Sequence, residues 1–296
     1  MNKNLLAASL ALTALAGCMT AEKSGQIKEP AFDTLIAHRG ESYDAPENTL
    51  PAFEMAVERG FGFECDLYLS KDLRVFSFHD GNLKRTTGVN CKCKDASWEE
   101  TLCKLDAGAW KGEKWKGVRP ALLEEILPLA RKDRKIYVEI KSGPEIVPYI
   151  KDIFAKQSVA TPETALFICF QEKVCAELNK MMPEYKVYWL CSAREKAPKG
   201  EIGAPRTPDG IIKTLKEIGA DGVDIRFDPE VVTKEFVDTI KAAGFELHVW
   251  TIDDLDKALL AFERGALTVT TNRSKFLRDE YRSRGFFGFF MKFFRD

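Results

Sequence analysis

The feature that most constrains the fold is a regular alternation of short apolar, β-rich runs with amphipathic helical stretches. The predicted strands cover residues 34–38, 61–69, 74–79, 135–141, 165–170, 186–191, 222–226, 246–252 and 267–271. Strands that alternate with helices favour parallel strands joined by crossover helices. About eight such units over roughly 250 residues favour a closed (β/α)8, or TIM, barrel.

An open, doubly wound sheet is the alternative architecture. It usually carries a glycine-rich phosphate loop or a dinucleotide fingerprint, and the sequence contains neither. The barrel is predicted over residues 34–280. Residues 81–119 lack clear periodicity and are interpreted as an insertion after the second strand.

The amino terminus has the organisation of a secretory signal. Lys3 precedes an apolar run over residues 5–16, which is too short to span a bilayer. The run ends in Leu15-Ala16-Gly17-Cys18, which resembles a bacterial lipoprotein cleavage box, where the Cys becomes the lipidated amino terminus. We expect a signal peptide over 1–18, a polar tether over 19–33, and an exported protein anchored to the cell envelope through Cys18, on the periplasmic face or the cell surface. The alternative is a buried apolar helix.

The carboxyl-terminal tail, residues 281–296, is rich in Phe. Phe286, Phe290, Phe293 and Phe294 share one face of a predicted helix that is too short to span a bilayer. One interpretation is a second membrane contact in the interface, and the other is packing against the barrel. Both stay open at this point.

Composition excludes some classes of function. The formal net charge is −1, and no basic stripe is present, which argues against nucleic-acid binding. Of the eight Cys, seven remain beyond Cys18, and Cys91, Cys93 and Cys103 are close enough in sequence to hold one disulfide.

Carboxylates occupy strand positions that should be apolar. Glu64 and Asp66 share one face of a strand because side chains alternate with period two, and Glu139 and Lys141 share a face of another. Carboxylates side by side repel each other, and a bound cation removes that cost. Three carboxylates without a soft ligand indicate Mg²⁺ or Ca²⁺. The alternative is a solvated strand face or a salt bridge to Lys141.

Two of the three His also end strands. His38 and His79 each lie where a predicted strand meets its following loop, which is the functional rim of a barrel. Trp250 lies nearer this rim than His248 on another strand. We expect Trp250 to pack on substrate carbon and His248 to be a core residue.

Arg39 and Lys141 supply positive charge near the same rim. A phosphate group would explain both, since Arg offers a planar fork of donors and Lys a point charge. The alternative is that they only balance the carboxylates.

Several short blocks together carry a family resemblance. They are His38-Arg39-Gly40, Pro46-Glu47-Asn48-Thr49, Glu64-x-Asp66, His79-Asp80, Leu83-x-Arg85-Thr86-Thr87-Gly88, Glu139-x-Lys141 and Trp250-Thr251. In combination they resemble the glycerophosphodiester phosphodiesterase family, over about residues 34–275.

The resemblance implies a TIM barrel with an insertion after the second strand. It also implies a divalent cation held by Glu64, Asp66 and Glu139, and an acid/base pair formed by His38 and His79. Arg39 and Lys141 would then contact the phosphate. The expected reaction converts a small glycerophosphodiester to glycerol 3-phosphate and an alcohol.

The chain departs from the family pattern at Asp253, where Asn is frequent, and at Asn272, where Asp is common. Two alternative functions stay open. One is a lysophospholipase D or sphingomyelinase-like enzyme with an apolar slot built from Trp98, Trp110 and Trp115. The other is a catalytically inactive, surface-binding lipoprotein.

Overall fold

The computed structural model describes the backbone of residues 34–293 and the side chains of residues 34–284. Its strands are β1 (Leu35–Ala37), β2 (Gly62–Leu69), β3 (Val75–Ser77), β4 (Ile136–Ile140), β5 (Ala165–Cys169), β6 (Val187–Ser192), β7 (Gly222–Arg226), β8 (Glu246–Trp250) and β9 (Val269–Thr271). Its α-helices are α1 (Leu50–Glu58), α2 (Lys84–Thr87), α3 (Leu123–Ile126), α4 (Val147–Ala155), α5 (Glu172–Met181), α6 (Pro208–Ile218), α7 (Lys234–Ala242), α8 (Leu255–Glu263) and α9 (Ser274–Phe293).

Eight of the strands form a closed parallel barrel. Their order around the ring is β1-β9-β8-β7-β6-β5-β4-β2, and pairing of Ile36 with Gly62 joins β1 to β2. Strand β3 is antiparallel to β2 and lies outside the ring. The predicted TIM barrel is therefore confirmed, and each predicted strand has a counterpart.

Along β2, apolar side chains alternate with acidic side chains. Phe63, Cys65 and Leu67 are fully buried in the large apolar cluster of the barrel, while Glu64 and Asp66 occupy the alternate positions. Successive side chains of a strand point to opposite faces. The outer face of β2 therefore packs in the core, and its inner face carries acids into the barrel.

A smaller apolar cluster fills the barrel interior below the site. Its buried members are Ile36, Tyr137, Leu166, Ile168, Tyr188 and Leu190. A separate cluster supports β3 and the insertion, and consists of Phe76, Phe78, Leu83, Cys93, Ala96, Trp98, Leu102 and Leu122.

The structure differs from the sequence prediction after the insertion. The sequence pattern of residues 120–131 predicts a single helix. Instead, α3 ends at Ile126 and a 3₁₀ helix, Leu127–Leu129, follows. Pro128 explains the break because it has no N–H to continue the α-helical ladder. Within the insertion, α2 is followed by further 3₁₀ helices, which have no 3.6-residue period: Cys93–Asp95, Leu102–Lys104, Ala109–Lys111 and Glu113–Trp115. Another 3₁₀ helix, Pro144–Ile146, precedes α4.

The two chain ends lie partly outside the described residues. The predicted signal peptide, Cys18 and the tether lie outside them, as do the side chains of the Phe-rich tail. The backbone of α9 runs through Phe293. Among the helices described, none has the length and apolar character needed to cross a membrane. The disulfide considered among Cys91, Cys93 and Cys103 is not formed, since all three are free thiols.

Candidate active site

A cavity of about 160 Å³ opens at the carboxyl end of the barrel strands. We call it the carboxyl-end cavity. Its lining residues are His38, Arg39, Glu64, His79, Glu139, Lys141, Ile168, Phe170, Leu190, Asp224, Trp250, Thr251 and Thr270. Seven of the eight site residues predicted from the sequence are among them. The eighth, Asp66, is fully buried and lies 3.1 Å from Lys141 Nζ.

The carboxylates of Glu64, Asp66 and Glu139 form a compact acidic cluster. One oxygen from each lies within 4.8 Å of the others. Glu64 Oε1 and Asp66 Oδ1 are buried and accept no hydrogen bond from any described residue, although the Lys141 ammonium lies close to Asp66 Oδ1. Buried oxygen atoms without donors are a suitable ligand set for a hard divalent cation.

Burial and mutual repulsion make this cluster hard to ionise fully. Burial, and then the charge of Asp66, raise the pKa of Glu64 well above its ordinary value and that of Glu139 to about 8. Burial would also raise the pKa of Asp66, but Lys141 and Arg39 outweigh it and lower that pKa to about 2. A bound cation would let all three carboxylates be charged together.

A left-handed turn after β1 places Arg39. Arg39 and Gly40 have φ angles of 57° and 73°. A Cβ at residue 40 would lie 2.5 Å from the carbonyl carbon of Ala52, so only Gly fits there. The turn aims the Arg39 backbone N–H at Glu64 Oε2, 2.8 Å away, and sets its Nε 3.5 Å from Asp66 Oδ2.

Asn48 orients Asp66. Its Nδ2 donates to Asp66 Oδ2 at 2.6 Å, and its Oδ1 accepts from the Asp66 backbone N–H at 3.0 Å and from Ser77 Oγ at 2.8 Å. Asn48 has a φ of 57°, a conformation that Asn tolerates better than most residues. Occupation of Oδ2 by Asn48 leaves Oδ1 for the cluster.

His38 is oriented by two residues that follow the neighbouring strands, Asp253 after β8 and Asn272 after β9. Asn272 Nδ2 donates to Asp253 Oδ2 at 2.7 Å, and the Asn272 backbone N–H donates to Asp253 Oδ1 at 2.8 Å. The Asn272 amide oxygen therefore faces His38 Nδ1, 2.7 Å away, so Nδ1 carries the hydrogen. Burial, followed by Arg39, lowers the pKa of His38 to about 4, which leaves Nε2 unprotonated, 3.9 Å from Glu64 Oε2.

His79 is held by charge rather than by an amide. Its Nδ1 lies 2.7 Å from Asp80 Oδ1, and Arg85 Nε donates to Asp80 Oδ2 at 2.6 Å. Arg85 also donates to Glu47 Oε2 at 2.9 Å, and Glu47 accepts from Arg39 at 2.9 Å. Alternating charges thus connect the two predicted catalytic loops.

Sequence reasoning missed the roles of these supporting residues. Asp253 and Asn272 had been noted only as departures from a family pattern, yet they orient His38. Glu47 and Arg85 lie inside blocks that carried the resemblance, and that position was the available signal. The available signal for Asp224 was its position between Val223 and Ile225 in an apolar predicted strand.

The far wall of the cavity is mostly apolar. The Trp250 ring meets Phe170 edge-on with centroids 5.5 Å apart, and its Nε1 donates to the Asp224 backbone oxygen at 3.0 Å. Ile168 and Leu190 complete this wall. Trp250 therefore lies at the rim, on the apolar wall of the carboxyl-end cavity.

The three Trp residues of the insertion lie elsewhere. Trp98 is buried in the insertion's own cluster, with its ring centroid 6.4 Å from that of Phe76. Trp110 is 43% exposed. Neither they nor Trp115 belong to the described lining of the carboxyl-end cavity, so the slot considered from the sequence is not part of it.

Comparison with known proteins identifies the family of the chain. Residues 38–275 match the model of the glycerophosphoryl diester phosphodiesterase family. A glycerophosphodiester phosphodiesterase of Caldanaerobacter subterraneus is 32% identical over 243 residues, covering 79% of this chain and 93% of that protein. A mouse lysophospholipase D is 28% identical and covers 82% and 84%.

Solved structures share the architecture. An Oleispira antarctica phosphodiesterase in complex with the product sn-glycerol-3-phosphate superposes with a TM-score of 0.70 at 26% identity, covering 83% of this chain and 95% of that chain. A Thermotoga maritima glycerophosphodiester phosphodiesterase has a TM-score of 0.63 at 23% identity and covers 83% and 97%.

Proposed function

Because the chain belongs to the glycerophosphoryl diester phosphodiesterase family, we propose a specific division of labour in its cavity for hydrolysing a glycerophosphodiester to sn-glycerol 3-phosphate and an alcohol. The protein is a phosphoric diester hydrolase. The observation that supports the proposal best is the buried acidic cluster, in which Lys141 pairs with Glu139 at 2.7 Å and Glu64 Oε1 has no hydrogen-bond partner among the described residues. It lies beside two cationic side chains and two imidazoles.

Glu64, Asp66 and Glu139 would hold a divalent cation, Ca²⁺ or Mg²⁺. Their buried oxygens form a hard, all-carboxylate ligand set of the kind these two ions prefer. A cation bound there supplies Lewis-acid polarisation of a phosphoryl oxygen.

Arg39 and Lys141 would bind the phosphate. Both line the cavity, and both lie within 3.5 Å of an Asp66 oxygen, so their charges are fixed at its edge. Positive groups held there stabilise the negative charge that develops on the phosphoryl oxygens.

The two imidazoles would move protons in opposite directions. His38 has a neutral amide partner and a free Nε2, which suits it to take a proton from the attacking oxygen. The ring of His79 is oriented by Asp80, whose Oδ1 lies 2.7 Å from Nδ1, so we assign His79 the proton given to the leaving alcohol. The attacking oxygen belongs to water or to the substrate's own hydroxyl, and the second route gives a cyclic phosphate first.

The test is hydrolysis of glycerophosphocholine by the purified protein. We expect release of sn-glycerol 3-phosphate and choline, loss of the reaction with a chelator, and its return with Ca²⁺ or Mg²⁺. Phosphorus NMR during turnover distinguishes a cyclic phosphate intermediate from direct attack by water. Release of phosphocholine, or a rate unaffected by chelator, would contradict the proposal.

A lysophosphatidylcholine arm tests the alternative lysophospholipase D activity, for which the mouse relative is the supporting observation. Faster release of choline from the lysolipid than from glycerophosphocholine would favour it. No turnover of either substrate would favour the inactive surface lipoprotein.

For location, we propose that the protein is exported and anchored to the cell envelope through lipidated Cys18, with the Phe-rich tail as a second membrane contact. The support is the sequence of residues 1–18 and 281–296. A Cys18→Ala variant should leave the detergent-extracted membrane fraction or accumulate unprocessed. A variant that is still processed and still needs detergent would contradict anchoring through Cys18.

A further inference from the structure

Asp224 lines the carboxyl-end cavity on the side opposite the acidic cluster. The acidic cluster and both cationic side chains come from β2, β4 and the loops after β1 and β4, whereas Asp224 lies on β7. In the ring order, β7 is four strands from β2 in either direction, so the two strands face each other across the barrel.

The surroundings of Asp224 do not explain its presence. It is 1% exposed, and neither carboxylate oxygen has a hydrogen-bond partner among the described residues. Burial alone raises its pKa to about 8, and no cationic side chain contributes to that shift. An apolar residue of similar size would make the ligand-free protein more stable, because burying a polar group without a hydrogen-bond partner costs folding free energy.

The position of Asp224 in the cavity indicates what kind of group could bind to it. Asp224 is a lining residue of the carboxyl-end cavity, on the side where Ile168, Phe170, Leu190 and Trp250 form the apolar wall. A group that binds there would have carbon against the wall and a polar atom against the carboxyl.

The cavity volume limits what that group can be. The cavity of about 160 Å³ is small and also holds the phosphate-binding side chains, so the group that reaches Asp224 is compact. The glycerol unit of the substrate is such a group. A hydroxyl both donates and accepts, so it can pair with a carboxyl in either protonation state.

We propose that Asp224 is a specificity-determining residue that binds a hydroxyl of the substrate's glycerol unit, opposite the phosphate-binding side. The inference rests on the proposed function, since the glycerol unit is placed by a phosphate at Arg39 and Lys141. It assigns Asp224 to recognition of the polyol, and not to proton transfer.

The test compares two ligands that differ in their hydroxyls. Binding of sn-glycerol 3-phosphate and of n-propyl phosphate is measured by calorimetry on the wild type, Asp224→Asn, Asp224→Leu and Asp224→Ala. We expect the preference for glycerol 3-phosphate to fall about tenfold in the Leu and Ala variants and to be largely kept in Asn, with propyl phosphate bound as well as before.

Stability and turnover serve as controls. Asp224→Leu should melt no lower than the wild type, because it removes an unpaired buried carboxyl. KM for glycerophosphocholine should rise more than kcat falls. If Leu does not fold, Ala carries the comparison.

The outcomes distinguish failure of the proposed function from failure of the role assigned to Asp224. A wild type that releases no glycerol 3-phosphate would defeat the proposed function itself. A wild type that does, with an unchanged ligand preference in both the Leu and Ala variants, would overturn the assignment of Asp224 alone. Unchanged glycerol 3-phosphate binding with altered choice of the leaving alcohol would also overturn it.

Discussion

The two ends of the barrel each carry a cavity, a His and an acid, but only one end has the features of a reaction site. The amino-end cavity, about 320 Å³, is lined by Ile36, Lys132, Asp133, Lys135, Tyr137, Leu166, Lys186, Tyr188, Glu246, His248, Leu267 and Thr268. Here Glu246 accepts from Lys186 and Tyr188, and His248 Nδ1 lies 2.7 Å from Thr268 Oγ1.

The charge states of the acids differ accordingly. The pKa of Glu246 lies below its ordinary value. His248 lowers it most, and the Lys186 and Tyr188 donors lower it further, against the effect of burial. At the carboxyl end, burial and like charges raise the pKa values of Glu64 and Glu139. The acid of the larger cavity is thus hydrogen-bonded, although His248 Nε2 has no partner among the described residues, whereas Glu64 Oε1 and both Asp224 oxygens in the smaller cavity accept no hydrogen bond. Unsatisfied carboxylates, rather than cavity size, mark the site.

The largest expected effect comes from removing an imidazole at the carboxyl end. His38→Ala and His79→Ala should each lower kcat by roughly 10²–10⁴-fold, the usual contribution of a positioned acid or base. Melting temperature should change little, because both side chains lie at the cavity surface, 16% and 31% exposed. Steady-state kinetics and circular dichroism measure the two effects.

The amino end supplies the matched control. His248→Gln should keep kcat and lower the melting temperature, since His248 is buried and hydrogen-bonded. If His248→Gln lost activity while His38→Ala and His79→Ala kept it, the assignment of the two ends would be reversed.

The acids should respond in opposite ways to neutralisation. Glu64→Gln and Glu139→Gln should weaken Ca²⁺ or Mg²⁺ binding by more than about tenfold, yet leave the metal-free protein as stable or more stable, because repulsion is relieved. Glu246→Gln should leave cation binding unchanged and lower the melting temperature by roughly 2–4 °C for each kcal/mol lost. Calorimetric titration and thermal melts test this, and unchanged cation affinity in both carboxyl-end variants would place any metal elsewhere.

Stability against pH extends this contrast. A raised folded pKa favours the folded state at low pH, so the contribution of Glu139 is present below its ordinary value of 4.5 and is lost as pH rises through about 8. The lowered pKa of Glu246 has the opposite sign, and its contribution is lost as pH falls below 4.5.

Metal-free wild type should therefore lose melting temperature between pH 5 and 8 relative to Glu139→Gln, and added Ca²⁺ or Mg²⁺ should remove the difference. Thermal melts across that range give the measurement. Parallel curves for the two proteins without metal would show that Glu139 is not held in a raised-pKa environment.

The sequence predicts which face of a strand a residue occupies, but it does not predict contacts between distant strands. Strand parity placed Glu64, Asp66 and Glu139 inside the barrel, because period-two alternation leaves no other face for the apolar neighbours. Parity also turns Asp224 away from its apolar neighbours Val223 and Ile225, but it does not show that β7 faces β2 across the ring. Asn272 follows β9 and meets the site only through barrel closure. Contacts across the ring depend on register and stagger, which a linear pattern does not encode.

The helix expected over residues 120–131 was wrong in extent for a local reason, since Pro128 ends the α-helical ladder. The supporting ion pairs could not be predicted either. Arg85 and Glu47 are 38 residues apart, and nothing in either neighbourhood specifies that they pair.

The smallest expected effect separates two ion-pair networks that look alike. Arg85→Lys removes the fork that joins Glu47 to Asp80, so Asp80 and His79 should be less well positioned, and kcat should fall by about tenfold or less with little change in KM or melting temperature. Its amino-end counterpart, Lys186→Met, should lower the melting temperature because Glu246 loses a donor, and it should leave kcat unchanged. The pair is measured by steady-state kinetics and thermal melts on the same preparations. Equal losses of kcat in both variants would mean that the amino-end network also acts on the reaction, and the division between a catalytic and a structural end would not hold.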